Sequence, residues 1–248
     1  MTRAPSRRAT ARPAAISVVV AVVLVAAACS TQPPGPVAPP PCPSTPDVVQ
    51  FDGDSLGIHI ARYLEVPGGQ VVDRSVPRSG FTYDLAADPA RSLPAVPSIG
   101  GTVRSWIEAC GVPGIVVVEG GINDLAGAGA TAGELEAAVL ELSDWLRDRG
   151  VPTVWLPLHP LPTAGSYMWV QPARQEFNAW LEAGHVWGTV VDCNDVLEDP
   201  AHPDTLAPTY WWVVDIWGTV EGVHPDQDGY RAWSECLGAR LPPLTAPG

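Results

Sequence analysis

A serine hydroxyl becomes a useful nucleophile when a base takes its proton, and histidine is the usual base because it titrates near neutrality. The chain offers both, with an acid nearby. Ser55 follows Gly53-Asp54, His224 precedes Pro225, and Glu221 stands three residues before that histidine. An acid so placed can fix the imidazole tautomer, with Asp215 as a substitute acid in the same segment. Acyl transfer also needs donors aimed at a developing oxyanion. Gly80 and Asn123, the latter in Gly120-Gly121-Ile122-Asn123-Asp124, can supply them together with the Ser55 N–H. Each residue has a plainer role too. Ser55 can cap a helix beginning at Leu56, Gly80 can serve a turn, Asn123 can cap or turn its loop, and His224 can sit on the surface. His59, one helical turn after Ser55, is a rival base or a packing residue. Asp54 and Asp124 read as loop braces. His159, His185 and His202 show no metal-ligand spacing, so no metal is expected.

These residues must be delivered by regular elements. Apolar runs at 47–52, 70–73, 114–119, 151–156 and 186–192 read as strands, the third nearly all apolar as in a strand covered on both faces. Between them, 56–64, 102–110 and 171–183 read as helices, and 227–241 as a last helix. Thr131 with Glu134 three residues on forms a capping box. After it, Leu135, Ala138, Val139, Leu142, Trp145 and Leu146 share one helix face up to Gly150. Strand–helix alternation implies parallel strands with right-handed crossovers, an α/β/α sandwich around a five-stranded, mainly parallel sheet. Sites in such sheets form at the carboxyl ends of strands. Ser55, Gly80 and Asn123 follow strands one to three, and His224 comes in the segment after strand five.

Taken together, Gly53-Asp54-Ser55-Leu56, a glycine after strand two, Gly121-Ile122-Asn123-Asp124, and an acid three residues before His224-Pro225 resemble the GDSL or SGNH-type esterase/lipase family over roughly residues 47–241. The resemblance implies a flavodoxin-like SGNH hydrolase fold over 47–243. It implies Ser55 as nucleophile, His224 as general base and acid, Glu221 as its orienting partner, and Ser55, Gly80 and Asn123 as the oxyanion hole. The family usually carries Asp where this chain has Glu221. The implied activity is hydrolysis of carboxylic esters, acyl or acetyl esters of lipids or carbohydrates, through an acyl-enzyme and without a cofactor. Transfer to a sugar hydroxyl would use the same residues. A non-catalytic envelope-binding lipoprotein on the same fold is the alternative from a different class.

Aromatic residues gather ahead of Glu221. Tyr210, Trp211, Trp212 and Trp217 offer a wall for an acyl chain or a sugar ring, or else packing for a long segment, and Tyr167-Met168-Trp169 forms a second rim. Trp106, Trp145 and Trp180 read as core. Beyond Cys29 four cysteines remain, and no two have the close spacing of a zinc site. Cys42 and Cys110 both precede neighbouring strands of a 2-1-3-4-5 order, so a Cys42–Cys110 disulfide is expected, leaving Cys193–Cys236.

Composition and the N-terminus bound the setting. The 248 residues carry 27 acids against 14 bases, every base an Arg. The acidic excess argues against nucleic-acid binding, and without Lys neither an internal Schiff base nor a P-loop lysine is available. Arg3, Arg7, Arg8 and Arg12 precede an uncharged apolar run at 13–28, shorter than the roughly 20 residues of a membrane span. The run ends Ala26-Ala27-Ala28-Cys29, similar to a bacterial lipobox, so residues 1–29 are expected to be an export signal with Cys29 as the lipidation site. Arg7-Arg8 leaves open which export route is used. Removal of that segment takes four Arg and no acid, leaving a formal charge of −17. A Pro-rich stretch at 30–46 reads as a semi-rigid stalk. The expected setting is the outer face of a bacterial membrane, or secretion, as a monomer acting on a small ester.

Overall fold

Ile115–Val118, four consecutive apolar residues with every side chain buried, forms the central strand of the computed structural model, which describes residues 42, 45–86, 95–214 and 218–244. It is the third strand in chain order (β3), after β1 at Val48–Asp52 and β2 at Gln70–Asp73, and before β4 at Thr153–Trp155 and β5 at Thr189–Val190. The sheet order is β2-β1-β3-β4-β5 and every pairing is parallel. Burial of both faces explains why β3 shows no polar alternation, whereas β1, equally buried, carries Gln50 and Asp52 on one face, the Gln50 amide donating to the Asp52 carboxylate. Among the described residues five α-helices accompany the strands: α1 Ser55–Tyr63, α2 Ile99–Cys110, α3 Ala132–Arg147, α4 Gln171–Glu182 and α5 Gln227–Arg240. Their apolar faces and the sheet enclose one continuous core, in which Trp155, Trp233, Phe51 and Phe177 are among the largest fully buried side chains. This five-stranded parallel sheet flanked by helices is the α/β architecture that the resemblance implies.

Helix ends follow local chemistry. The capping box of α3 is complete: Thr131 accepts from the Glu134 N–H while the Glu134 carboxylate accepts from the Thr131 N–H. Helix α2 starts three residues before the sequence pattern suggests, because Ser98 caps it by accepting from the Gly101 N–H, and Gly100-Gly101 hide its first turn from propensity. The expected strand at 186–192 is reduced to two paired residues. Gly188 there passes so close to the backbone of Thr153 that a Cβ would lie 2.2 Å from its carbonyl oxygen.

The long segment after β5 is not irregular. It folds into two small antiparallel ribbons, β6 Glu198–Asp199 with β7 His202–Leu206, and β8 Trp211–Val213 with β9 Val220–Pro225. Two disulfides staple the body: Cys42–Cys110 ties the chain ahead of β1 to the end of α2, and Cys193–Cys236 ties the chain after β5 to α5. Of the three tryptophans expected in the core, Trp106 is buried. Trp145 and Trp180 are only partly buried, Trp145 lying beneath the Arg149 guanidinium and Trp180 stacking between Phe177 and His185. Cys29, Asp215 and Trp217 lie outside the described residues. Among those described, no helix is long and apolar enough to cross a membrane.

Candidate active site

Helix α1 begins immediately past the carboxyl end of β1, and its capping residue is Asp54, whose carboxylate accepts from the Leu56 N–H at 2.9 Å. Ser55 is therefore the first helical residue and not the cap, which corrects the capping alternative. Its side chain is left free, and its N–H belongs to the set that a helix start leaves without an intrahelical acceptor. The helix dipole points its positive end there.

The ribbon β8–β9 brings His224 to the same rim. Ser55 Oγ lies 2.8 Å from His224 Nε2, across 169 residues of sequence. On the far side of the ring, Nδ1 lies 2.9 Å from Glu221 Oε1. The second oxygen, Glu221 Oε2, accepts from the backbone N–H groups of Val223 and His224 at 2.8 and 2.7 Å. Gly222, at φ 104°, makes the fold-back possible: only a residue free of a Cβ turns the chain so that a side chain three residues upstream faces the imidazole. Burial pushes the Glu221 carboxyl up, but the bonds from the imidazole and the two amides outweigh it and bring it down to about 2.

Two loops supply donors. Gly80 is buried beside Ser79, and a Cβ on it would lie 2.7 Å from both Asp124 Oδ2 and Tyr83 Cε1. Asp124 clamps this loop by accepting from the N–H groups of Phe81 and Thr82 and from the Thr82 hydroxyl. Asn123 follows Gly120 and Gly121, both at positive φ, and opens one turn of π-helix at Asp124–Ala128 where a plain loop was expected. Its amide donates to Asp54 Oδ2 and to the Ser79 carbonyl, each at 3.0 Å. Among the described residues no protein acceptor takes the N–H of Ser55 or of Gly80. Burial raises the Asp54 carboxyl to about 6, against the pull of the Leu56 N–H and the nearby His224.

A cavity of about 130 Å³ opens at Ser55, with Ile122, Asn123, Ala126, Tyr167, Val223 and His224 among its walls. Trp212 is 41% exposed and meets the His224 ring edge-on at 6.0 Å. Its sequence neighbours do other work. Tyr210 and Trp211 pack against the core, and the Trp211 indole donates to the Leu206 carbonyl. His59 makes no bond to Ser55; it stacks on Tyr230 at 4.7 Å. His159, in the loop after β4, is fully buried and bonded at 2.6 Å to the Val223 carbonyl, so it supports the residue next to His224. Sequence reasoning missed that support, and the only available signal was the apolar context of Leu158 to Leu161. Among the described residues no group of three or more His, Cys, Asp or Glu could hold a metal ion.

A hydroxyl held by an imidazole, a carboxylate behind the ring and free N–H groups beside it form an arrangement able to carry out acyl transfer. At the rim of a parallel sheet, this is the layout of an α/β esterase. The model of the GDSL-like Lipase/Acylhydrolase family matches residues 59–232, which include Gly80, Asn123, Glu221 and His224 and begin just past Ser55. The chain belongs to this family and is a GDSL/SGNH-type esterase. No curated protein matches it. Among solved structures it is similar to a carbohydrate acetylesterase family member from Sinorhizobium meliloti (14% identity, 78% of this chain and 96% of that one, TM-score 0.55). It is likewise similar to a member of the lipolytic protein G-D-S-L family from Veillonella parvula (13%, 78% and 99%, TM-score 0.53). A GDSL-like lipase from Bacteroides thetaiotaomicron gives 13% identity, 78% and 87% coverage and a TM-score of 0.52. At these identities the likeness is one of fold.

Proposed function

We propose that the protein cleaves esters of short carboxylic acids through a Ser55 acyl-enzyme. The observation that carries this reading is the unbroken line of hydrogen bonds from Ser55 Oγ through His224 to Glu221, at 2.8 and 2.9 Å. Ser55 Oγ attacks the ester carbon as its proton passes to His224 Nε2, and Glu221 holds the resulting imidazolium. The oxyanion is taken by the N–H groups of Ser55 and Gly80 and by Asn123, which exchanges the Ser79 carbonyl for the substrate oxygen. The carbon–oxygen bond to the alcohol then breaks, and the alcohol leaves with the proton from His224. Water, deprotonated by the same ring, releases the acid and restores Ser55.

The size of the cavity supports a short acyl group. A volume of about 130 Å³ lies below the roughly 300 Å³ from which sites for larger ligands run, which favours a small acyl group at Ser55. Trp212 beside His224 supports a ring-bearing alcohol, since its exposed face is flat and apolar. Residues 1–29 and Cys29 support placement outside the cell membrane on a lipid anchor, with 30–46 as the stalk.

The test is fluorophosphonate labelling, with turnover of 4-nitrophenyl acetate, butyrate and octanoate by the wild type and S55A. The expected results are label on Ser55, loss of turnover in S55A by about 10³-fold or more, and rates falling steeply from acetate to octanoate. A folded wild type that takes no label, or an S55A enzyme that keeps its rate, overturns the reading.

A further inference from the structure

Glu119 is an acid the mechanism does not use. It follows β3 directly, its N–H is bonded to the Asp52 carbonyl at 3.0 Å, and the residue is 1% exposed. The side chain runs under the start of α1. A Cβ on Gly53 would stand 2.9 Å from Glu119 Oε2, and one on Gly57 3.3 Å from it, so these two glycines make the space in which the carboxyl lies. Neither oxygen has a hydrogen-bond partner among the described residues, and the groups that act most strongly on the carboxyl are the Asp54 carboxyl and the N–H groups of Asp54 and Gly57. Two buried carboxyls that face each other cannot both be ionised and must share a proton.

The neighbours decide which of the two carries it. Asp54 gives one oxygen to the Leu56 N–H and the other to the Asn123 amide, and His224 lies close by, all of which favour the charged form. Among the described residues the charge that acts on Glu119 is that of Asp54, with no cation beside it to offset that charge. Its neighbours are Asp54 and the buried Tyr230 hydroxyl, which itself has no hydrogen-bond partner. Asp124 adds a further negative charge near Asp54. We propose that Glu119 is a positioning residue for the oxyanion side of the site: as a neutral acid it donates its proton to the Asp54 carboxylate. It thereby holds Asp54 where that residue caps α1 and grips Asn123. Burial and the Asp54 charge both hold the Glu119 proton well above the usual carboxylate range, in the same direction as the geometry. A second buried anion here would also oppose the oxyanion, so the neutral state serves the reaction as well as the fold.

This inference rests on the esterase reading for its kinetic arm and stands apart from it in its stability arm. The experiment compares E119Q and E119L with wild type by kcat and KM on 4-nitrophenyl acetate and by thermal melts from pH 5 to 9. Gln offers the same donor to Asp54 and the same acceptor to the two N–H groups. E119Q is therefore expected to keep kcat within about threefold, while E119L loses on the order of 10- to 100-fold in kcat with little change in KM. The folded enzyme holds the Glu119 proton more tightly than the unfolded chain, so wild type loses stability as pH rises above the ordinary glutamate range. E119Q is expected to flatten that loss. A full-rate E119L, an E119Q as slow as E119L, or an E119Q melt curve parallel to wild type at every pH overturns the proposal. If E119L does not fold, the E119Q kinetics and pH curve decide alone. If S55A proves fully active, the esterase reading fails while the E119Q melts still report the shared proton.

Discussion

Replacing Glu221 by Gln changes one oxygen to an amide nitrogen and almost nothing in volume, so it isolates the acceptor at His224 Nδ1. The orientation of the Gln side chain follows from the geometry. Two backbone donors, the N–H groups of Val223 and His224, converge on Glu221 Oε2, and one ring nitrogen meets Oε1. Turning the amide to serve the ring would set its NH₂ against two N–H groups and strand both, at about 1–3 kcal/mol each. Serving the backbone strands at most one. The oxygen therefore stays on the backbone and the NH₂ faces Nδ1. The ring then accepts at Nδ1 and carries its proton on Nε2, which leaves no acceptor for the Ser55 hydroxyl. The expected loss in kcat is on the order of 10³- to 10⁴-fold, with KM on 4-nitrophenyl acetate changed little.

The ribbon keeps both amide bonds in E221Q, so its melting temperature near neutral pH should stay within a few degrees of wild type. Glu221 titrates near 2 because the imidazole and amide bonds outweigh its burial. Its folded value is depressed, so its contribution to stability is present above the ordinary glutamate range and is lost as pH falls toward 2. Glu221 is thus ionised throughout any practical rate profile, and E221Q should lower the rate evenly across neutral pH. An E221Q enzyme within tenfold of the wild-type kcat would refute the reasoning and move the orienting role to another group, with Asp215 the first to replace.

Two further outcomes follow from packing and burial. In G80A the added carbon would sit 2.7 Å from both Asp124 Oδ2 and Tyr83 Cε1, displacing the Gly80 N–H and the clamp on Phe81 and Thr82. The expectation is a 10²- to 10³-fold loss in kcat with an unchanged circular dichroism spectrum, and a wild-type rate would remove Gly80 from the oxyanion hole. Burial holds the His159 imidazole down to about 3, against the pull of its bond to the Val223 carbonyl. A histidine with a depressed folded value contributes stability fully above its unfolded range near 6.5 and loses it as pH falls. The stability difference between wild type and H159Q, from urea unfolding at pH 7, 6 and 5, should therefore shift by about 1.4 kcal/mol per pH unit below the mid-sixes. A pH-independent difference would mean that His159 is not kept neutral.

The sequence made the scaffold legible where a local rule and the tertiary context agree. The Thr131–Glu134 capping box and the apolar spacing after it mark α3, and the run around Val116–Val118 marks the strand buried on both faces. Legibility failed where a neighbour decides. Ser and Asp are equally good caps, and only the bond from the Leu56 N–H to Asp54 shows that Ser55 was spared that work. Tyr210, Trp211 and Trp212 look alike in sequence. Alternation along β8 and the pull of Leu206 turn Trp211 inward and leave Trp212 beside His224. His159 looks like any loop histidine until the Val223 carbonyl is seen to take its bond.

The acidic composition has a second meaning that charge counting hides. Read as a sum, the excess of acids describes only a solvated, negatively charged surface. Yet Asp52, Asp54, Glu119 and Asp124 are fully buried, all at the carboxyl ends of β1 and β3. Burial drives Asp52 to about 7 despite its bond from Gln50, so each such acid costs the fold something that an apolar residue would not. What they provide is reach between loops that no strand pairing connects. Asp54 links the Ser55 helix to Asn123, Asp124 links Asn123's own turn to the residues after Gly80, and Glu119 supports Asp54 from below. An apolar filler could pack the same volume, but it could not fix the direction of an N–H or an amide, and the oxyanion side of a hydrolase depends on direction.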